Sequence, residues 1–222
     1  MVVLATKVYV SGEARERALD GLRSLVEDAL GELDVSAEVG VRRDGFPAVT
    51  VEGPDAEAAR NVLRDAWGEV TPTRRTDAVH VGTLEAWDDD GFELDAGEPV
   101  RVPADELGLG PGTPGQVRRR FGLVQHVPLR FVAGDPPRLA DAERDRLFGW
   151  RRGAGRVNVN SATRSEVRAT VNRAGHADDV VTVDRLGLLE QSVVCAAGTD
   201  PPGLLAAIGP YLRSELLAVV PS

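Results

Sequence analysis

The sequence predicts an α+β protein in which two ferredoxin-like β-α-β-β-α-β units flank a small S1/OB-like β-barrel. Strand and helix periodicities follow the order β-α-β-β-α near both ends of the chain. Between these ends, short apolar strands alternate with acidic or glycine-containing turns. The expected boundaries are 1–77 for the N-terminal unit, 78–133 for the barrel, 134–155 for a charged helical linker and 156–222 for the C-terminal unit.

The N-terminal unit is predicted from periodicity and turn chemistry. Leu22, Val26 and Leu30 recur at helical spacing after a possible N-cap at Ser11. Asp44-Gly45 is a hairpin signal between two apolar strands. The expected elements are a strand Thr6–Val10, a helix Ser11–Gly31, strands Val35–Val41 and Ala48–Glu52, and a helix Pro54–Gly68.

The barrel is predicted from three short strands that begin near Val79, Gly91 and Val100. Barrels of this kind often stack bases of single-stranded nucleic acid on aromatic side chains, and Trp87 and Phe92 could serve in that way. Their neighbours are mostly acidic and would repel a phosphate chain, which favours the alternative that both are core aromatics.

The middle of the chain is expected to contain two short helices around one strand. Gln116–Phe121 is predicted as a helix, Leu123–Val132 as a strand and Ala140–Gly149 as a strongly charged helix. His126 lies alone among apolar residues, so we interpret it as a hydrogen-bonded structural residue rather than a base or a metal ligand.

The C-terminal unit begins with a strand and a capped helix. Thr163 and Glu166 form a capping box, and the helix ends near Gly175. On this helix a polar face is expected to carry Arg164, Arg168 and Asn172, which are spaced i, i+4 and i+8. The remaining expected elements are strands at 157–160, 180–183, 188–195 and 216–220 and a helix at 202–212.

Composition limits the kind of protein. A hydrophobic content of 42%, a charged content of 27% and the absence of a long apolar run or a leader-like N-terminus predict a cytoplasmic globular protein that does not bind a membrane. A single cysteine, Cys195, excludes an internal disulfide and a multi-cysteine metal site. Because it lies in an apolar run, it is interpreted as a buried small side chain.

The stretch from Val117 to Gly175 has an unusual charge. It contains thirteen arginines and five acids, a net +8 in a chain whose formal charge is −9. A polyanionic partner would explain such a block, and RNA or a ribonucleoprotein, for example the ribosome, is the partner we expect. The alternative is that these arginines pair with the acidic remainder and join the units to one another.

The expected nucleic-acid contacts are the fork-shaped donors of this block. They are Arg118, Arg119, Arg120, Arg151, Arg152, Arg156, Asn158, Asn160, Arg164, Arg168 and Asn172. The predicted function is therefore a non-catalytic RNA-binding protein of translation or RNA processing. The oligomeric state stays open.

The basic residues are almost all arginine, since Lys7 is the only lysine. With 35 acidic residues, this composition is typical of a halophile that accumulates salt inside the cell. At molar salt the screening length is about 3 Å. RNA binding would then depend on contact-range arginine interactions rather than on long-range attraction.

Five stretches carry a resemblance to a known family: GTLEAWDDDGFELDAG, ELGLGPGTP, GLVQHVPLRFV, RVNVNSATRSEVRATVNRAGHADDVVTV and GLLEQSVVCAAGTDPPGLLAAIGPYL. On these stretches the chain resembles a haloarchaeal member of the archaeal family called Domain of Unknown Function 2110. The resemblance covers nearly the whole chain and implies an archaeal intracellular protein. It implies no particular activity, cofactor or catalytic residue.

A second, local resemblance supports an alternative function. Thr199–Leu205 resembles the strand-to-helix corner of ACT regulatory domains, which implies a small-molecule sensor for an amino-acid type of ligand. The same residues are also explained by a proline-initiated helix. An enzyme is disfavoured, because the three histidines are scattered and no phosphate-binding loop, nucleophile elbow or dinucleotide fingerprint is present. Neither a cofactor nor a metal is expected, and His176–Asp179 is interpreted as a solvated turn.

Overall fold

The computed structural model describes all 222 residues and shows a mixed α/β architecture with six α-helices and three antiparallel sheets. The N-terminal unit has a three-stranded sheet in the order β1-β3-β2 with two helices. Its elements are β1 (Val2–Val3), α1 (Gly12–Leu30), β2 (Ser36–Val41), β3 (Pro47–Glu52) and α2 (Ala56–Trp67). The Asp44-Gly45 hairpin and both helices are confirmed.

The N-terminal core forms because each element buries one face. α1 buries Ala18, Leu22, Val26 and Leu30, at the spacing that places side chains on one side of a helix. These residues pack against the alternating inward side chains of β3 in a shared apolar cluster. An antiparallel bridge between Leu4 and Glu69 extends the sheet beyond β1.

The central unit is a five-stranded sheet in the order β6-β5-β4-β7-β8, which curls into a half-barrel. Its elements are β4 (Val79–Asp88), β5 (Gly91–Asp95), β6 (Pro99–Pro103), α3 (Pro114–Arg120), β7 (Pro128–Val132), β8 (Arg138–Leu139) and α4 (Asp141–Arg152). The inside of the curl holds the largest core of the protein, to which α4 contributes Leu147 and Trp150. The helix expected in a linker therefore packs onto the half-barrel.

The C-terminal unit is a four-stranded sheet in the order β10-β11-β9-β12 with two helices. Its elements are β9 (Arg156–Val159), α5 (Arg164–Arg173), β10 (Val180–Arg185), β11 (Gln191–Cys195), α6 (Pro201–Ile208) and β12 (Leu216–Val219). The capping box of Thr163 and Glu166 is present, and Cys195 is buried. Both confirm the sequence-based predictions.

One predicted strand is wrong, and a second is wrong in part. Thr6–Val10 is irregular and pairs with no strand. In this segment the Thr6 hydroxyl accepts a hydrogen bond from the Leu188 amide, 182 residues away, and the Tyr9 hydroxyl donates to Glu190. In the predicted strand Leu123–Val132, only β7 is extended. The residues before it form a turn in which His126 has a φ of 68°.

The C-terminal sheet uses its second face to contact the central unit. Asn158 on β9 donates to the Gly122 carbonyl at 2.8 Å, and Val219 on β12 joins the central core. The opposite face carries the helices, so neither face of this sheet is free. No helix of the structure combines the length and the apolar character that crossing a bilayer requires.

Candidate functional site

The thirteen arginines between Val117 and Gly175 fall into two groups, those that form a salt bridge with a carboxylate and those that do not. Five form salt bridges: Arg118 with Glu215, Arg130 and Arg146 with Glu143, and Arg138 and Arg144 with Asp141. Eight form no salt bridge: Arg119, Arg120, Arg151, Arg152, Arg156, Arg164, Arg168 and Arg173. Internal pairing thus accounts for a minority of the block.

Three of the expected contact residues face the interior. Arg118 is 3% exposed, and its guanidinium lies 3.6 Å from the centre of the Trp87 ring. Asn158 and Asn160 are buried, and Asn160 donates to the Gln125 carbonyl at 3.2 Å. All three join the C-terminal sheet to the central unit, so they are not available to a ligand on the surface.

A second group lies at the end of α4. Arg151 and Arg152 line a small cavity with the exposed ring of Phe148. Arg120 lies close by, since its guanidinium and that of Arg151 both approach the Phe121 ring, at 5.4 and 5.8 Å. Arg120 donates to two backbone carbonyls, at 2.7 and 2.8 Å, so part of its capacity serves the local fold.

The predicted polar face of α5 is present as a groove. Arg164, Arg168 and Asn172 line a shallow cavity of about 220 Å³ against β10. Arg164 donates through Nε to the Val183 carbonyl at 2.6 Å, which fixes its side chain along the strand. Because its terminal nitrogens have no carboxylate partner, they can bind an anion.

A cavity lies where the three units meet, and we call it the junction cavity. Its volume is about 410 Å³, which lies within the usual range for ligand sites. The N-terminal unit contributes Arg64 and Trp67, the central unit Arg130 and Arg146, and the C-terminal unit Arg185. Each unit alone would leave it open, so the cavity depends on the whole chain.

The arginines of the groove and of the junction cavity adjoin one another. The charge of Arg164 is close enough to lower the pKa of Arg185 further, after burial, which is the larger cause. At the other end, Arg146 and Arg156 lie over the Trp150 ring, at 4.9 and 4.8 Å. We call this set the arginine band: Arg130, Arg146, Arg156, Arg164, Arg168 and Arg185.

A second polar cluster, which we call the polar junction, also joins all three units. It consists of Lys7, Tyr9, Glu85, Asp95, His126 and Glu190. The Lys7 ammonium lies 3.1 Å from Glu85 and 2.6 Å from Asp95. Burial would lower the pKa of Lys7, but these two carboxylates raise it above its usual value, so Lys7 is charged.

Tyr9 connects the two halves of the polar junction. Its ring lies 3.8 Å from the His126 ring, and its hydroxyl donates to Glu190 at 2.6 Å and accepts from the Ser161 amide at 2.9 Å. Both His126 and Ser161 have positive φ values, 68° and 56°, a conformation that is costly outside glycine. The contacts with Tyr9 hold both residues in place.

The pKa values of two carboxylates of the polar junction, the fully buried Glu190 and the half-buried Glu85, are shifted in opposite directions. Complete burial raises the pKa of Glu190 to about 8, against the effect of the hydrogen bond from Tyr9. For Glu85, burial acts to raise the pKa, but hydrogen bonds from His126 and Thr83 and the charge of Lys7 lower it to about 2. Near pH 7 Glu190 is therefore mostly neutral while Glu85 is charged.

Sequence reasoning missed both junction sites. Arg64 and Arg185 lie outside the arginine block, and nothing local indicates that they meet. Two signals could have found the polar junction: Lys7 is the only lysine among twenty-five arginines, and Glu190 interrupts an apolar run. The interpretation of His126 as a hydrogen-bonded residue agrees with its contact to Glu85 at 3.2 Å.

The other singled-out residues have structural contacts. Phe92 is fully buried in the central core, as the core interpretation predicts. His176 pairs with Asp179 at 2.7 Å in a turn. Asp200 caps α6 by accepting from the Gly203 amide at 2.9 Å, which explains the residues of the ACT-like corner through helix initiation.

Comparison with protein families gives three adjacent matches that cover nearly the whole chain. They are the DUF2110 N-terminal domain at residues 1–73, the DUF2110 central domain at residues 74–151 and the DUF2110 C-terminal domain at residues 154–220. The chain belongs to the DUF2110 family. This confirms the resemblance found in the sequence. Searches of curated proteins and of solved structures found no match.

The three DUF2110 domains coincide with the three structural units. The central domain ends at residue 151, so it includes nearly all of α4 (Asp141–Arg152), in agreement with the packing of that helix on the half-barrel. The junction cavity and the polar junction both lie where DUF2110 domains meet.

Proposed function

We propose that this DUF2110 protein is a non-catalytic RNA-binding protein of archaeal translation or RNA processing, and that the arginine band is its RNA-binding surface. The observation that carries the proposal is that Arg164 and Arg168 line the α5 groove against β10, the strand that ends at Arg185 in the junction cavity. Three of its arginines, Arg164, Arg168 and Arg185, form no salt bridge in a strongly acidic chain, whereas the charge of Asp184 acts on Arg156.

The contact chemistry of the band suits a phosphate chain. Guanidinium groups bind phosphate oxygens in a bidentate manner, and neighbouring arginines can hold successive phosphates. Asn172 in the α5 groove adds an amide that can donate to, or accept from, a base edge. The carboxylate of the buried Glu143 does not cancel the charge of the central arginines, because this one group pairs with both Arg130 and Arg146.

RNA would reach the C-terminal unit from its helical side. Modules with a four-stranded sheet commonly stack bases on the open sheet face. Here the central unit covers that face through Asn158 and Asn160. The proposed RNA-binding surface therefore consists of the edge formed by α5 and β10 together with the junction cavity. It does not include Arg118, Asn158 or Asn160.

We propose the ferredoxin-like assignment for both terminal units and the S1/OB-like assignment for the half-barrel. The order β10-β11-β9-β12 with helices on one face supports the first for the C-terminal unit. In the N-terminal unit the Leu4–Glu69 bridge occupies the place of a fourth strand. The curled five-stranded sheet supports the second assignment.

A binding titration tests the proposal. Fluorescently labelled single-stranded RNA of mixed sequence is titrated with the protein and followed by anisotropy, at low and at molar salt, with heparin as a competing polyanion. We expect saturable binding that weakens as the salt concentration rises. Unlabelled RNA should displace the labelled RNA better than heparin of equal charge does. No binding at either salt concentration would overturn the proposal.

Amino-acid sensing at Thr199–Leu205 stays a prediction, which a thermal-shift screen with amino acids would test.

A further inference from the structure

All three units contribute to the junction cavity, and its lining is chemically uneven. On one side, Trp67 offers a flat apolar ring at the end of α2. Around it lie four guanidinium groups, those of Arg64, Arg130, Arg146 and Arg185. A ligand that fills the cavity must therefore offer both a planar apolar group and a concentrated negative charge.

The arginines around the cavity have more positive charge than the nearby carboxylates neutralise. Arg64 pairs with Glu69 at 2.7 Å, while Arg130 and Arg146 share Glu143, which is fully buried. Arg185 has no carboxylate partner and lies 5.5 Å from the centre of the Trp67 ring. Asp65 is the only acid in the lining itself. An anion beside Arg185 would supply the missing countercharge.

The nature of the anion follows from these groups. A phosphate monoester presents several oxygens to converging guanidinium groups, whereas a carboxylate presents two. A planar base can stack on the indole of Trp67, an interaction that nucleic-acid-binding proteins use widely. A volume of about 410 Å³ is that of a pocket for a small ligand and not of a channel for a polymer.

We infer that the junction cavity binds one nucleoside phosphate, with the phosphate held by Arg185, Arg130 and Arg146 and the base against Trp67. The ligand could be a free mononucleotide or the phosphorylated end of an RNA chain, which share this chemistry. The second source rests on the proposed function, because the α5 groove would then hold the nucleotides that follow. The first source does not depend on RNA binding.

Isothermal titration with the full chain tests the cavity directly. The probes are adenosine, guanosine, cytidine and uridine 5′-monophosphates, the matching nucleosides and inorganic phosphate. We expect at least one mononucleotide to bind about tenfold or more tightly than its nucleoside and than phosphate alone, because only it uses both sides of the cavity. Arg185→Gln should weaken that binding by about tenfold or more.

Control variants separate loss of the ligand from loss of the fold. Arg43→Gln removes an exposed arginine of the β2–β3 hairpin that forms no salt bridge, and should leave mononucleotide binding unchanged. Trp67→Phe keeps a flat ring and should retain most of the binding, while Trp67→Leu should lose it. Near-ultraviolet circular dichroism of each variant shows whether the three units still pack around the junction cavity.

A second titration identifies the source of the ligand. Short RNA oligonucleotides that carry a 5′-phosphate, a 3′-phosphate or no terminal phosphate are compared, with a mononucleotide as competitor. A preference for one phosphorylated end, lost in Arg185→Gln, identifies RNA ends as the source. Mononucleotide binding without any end preference identifies a free nucleotide, and both results support the inference. If no mononucleotide binds, or if Arg185→Gln binds it as well as the unaltered chain does, the inference is wrong even where RNA binding itself persists.

Discussion

The hydroxyl of Tyr9 lies 2.6 Å from the Glu190 carboxylate, although 181 residues separate the two in sequence. Through this hydrogen bond the irregular segment after β1 contacts the turn that precedes β11, so the first and last DUF2110 domains are joined directly. The same hydroxyl accepts from the Ser161 amide at 2.9 Å. The Tyr9 hydroxyl thus holds the backbone amide of Ser161 and the side chain of Glu190 in the C-terminal unit.

Stability is expected to fall as pH rises through the neutral range, and Glu190 is the cause. Burial raises its pKa to about 8 in the folded chain, while an unfolded glutamate titrates near about 4.3. Between these values the folded state holds a proton that the unfolded state has lost. The stabilisation is therefore complete below about pH 4 and is lost as pH rises to about 8, at up to about 1.4 kcal/mol per pH unit.

Glu190→Gln removes this titration while its amide oxygen can still accept from Tyr9. We expect the urea midpoint of the unaltered chain to decrease between about pH 5 and pH 8. The variant should show a clearly flatter profile over the same range. Parallel profiles for the two proteins would show that Glu190 is ionised in the folded state and would contradict this account.

Removing the Tyr9 hydroxyl should destabilise the polar junction. Tyr9→Phe leaves the Ser161 amide and Glu190 without their shared partner, and we expect a loss of about 1–3 kcal/mol in the free energy of unfolding. Chemical denaturation measures it. Tyr211→Phe is the matched control, because Tyr211 is 56% exposed and should change stability by less than about 0.5 kcal/mol. Equal effects from the two substitutions would exclude a role for the Tyr9 hydroxyl.

Acid should act on the polar junction through Glu85. Hydrogen bonds from His126 and Thr83 and the charge of Lys7 overcome the effect of burial and lower the pKa of Glu85 to about 2. Since the folded pKa is below the unfolded one, this stabilisation is present above about pH 4.3 and is lost as pH falls towards about 2. Glu85→Gln should lower stability at pH 6 and reduce the further loss on acidification. An unchanged acid profile would contradict this prediction.

Arg118 is expected to stabilise the interface rather than to bind RNA. It is buried between Trp87 and Glu215, and the latter also accepts from the Gln125 amide at 2.8 Å. Arg118→Ala leaves a partly buried carboxylate unpaired and should cost about 3–5 kcal/mol of stability. Arg119→Ala, its exposed neighbour, should cost less than about 0.5 kcal/mol. Comparable stability of both variants would contradict the structural role of Arg118.

The sequence was informative wherever the cause of structure is local. The capped helix α5 follows from Thr163 and Glu166, three residues apart, and the apolar face of α1 follows from its own periodicity. Part of the arginine pairing was also local, because Arg144 and Arg146 lie three residues after Asp141 and Glu143. That spacing on a helix predicts ion pairs, which reduce the charge left for a partner.

The sites where the units meet could not be predicted, because their residues are far apart in sequence. Arg185 meets Trp67 across 118 positions only because three units dock, and no periodicity encodes that docking. The strand predicted at Thr6–Val10 failed for the same reason. In this segment Val8 packs in the N-terminal core, while Thr6 and Tyr9 contact the C-terminal unit, and none of them pairs in a sheet.

The most direct test of RNA binding along the arginine band uses Arg164→Glu/Arg168→Glu, which reverses both charges in the α5 groove. Arg43→Glu/Arg75→Glu is the matched control, since it makes the same change in charge at two exposed arginines outside the band. Affinity for single-stranded RNA is measured by anisotropy over a series of salt concentrations, with thermal unfolding of each variant as the check on folding.

We predict that the groove variant binds RNA at least about tenfold more weakly than the unaltered chain. The slope of its log affinity against log salt concentration should be smaller by about 1–2, while the control variant resembles the unaltered chain. Equal affinities and slopes for the two variants would contradict the assignment of the band as the RNA-binding surface.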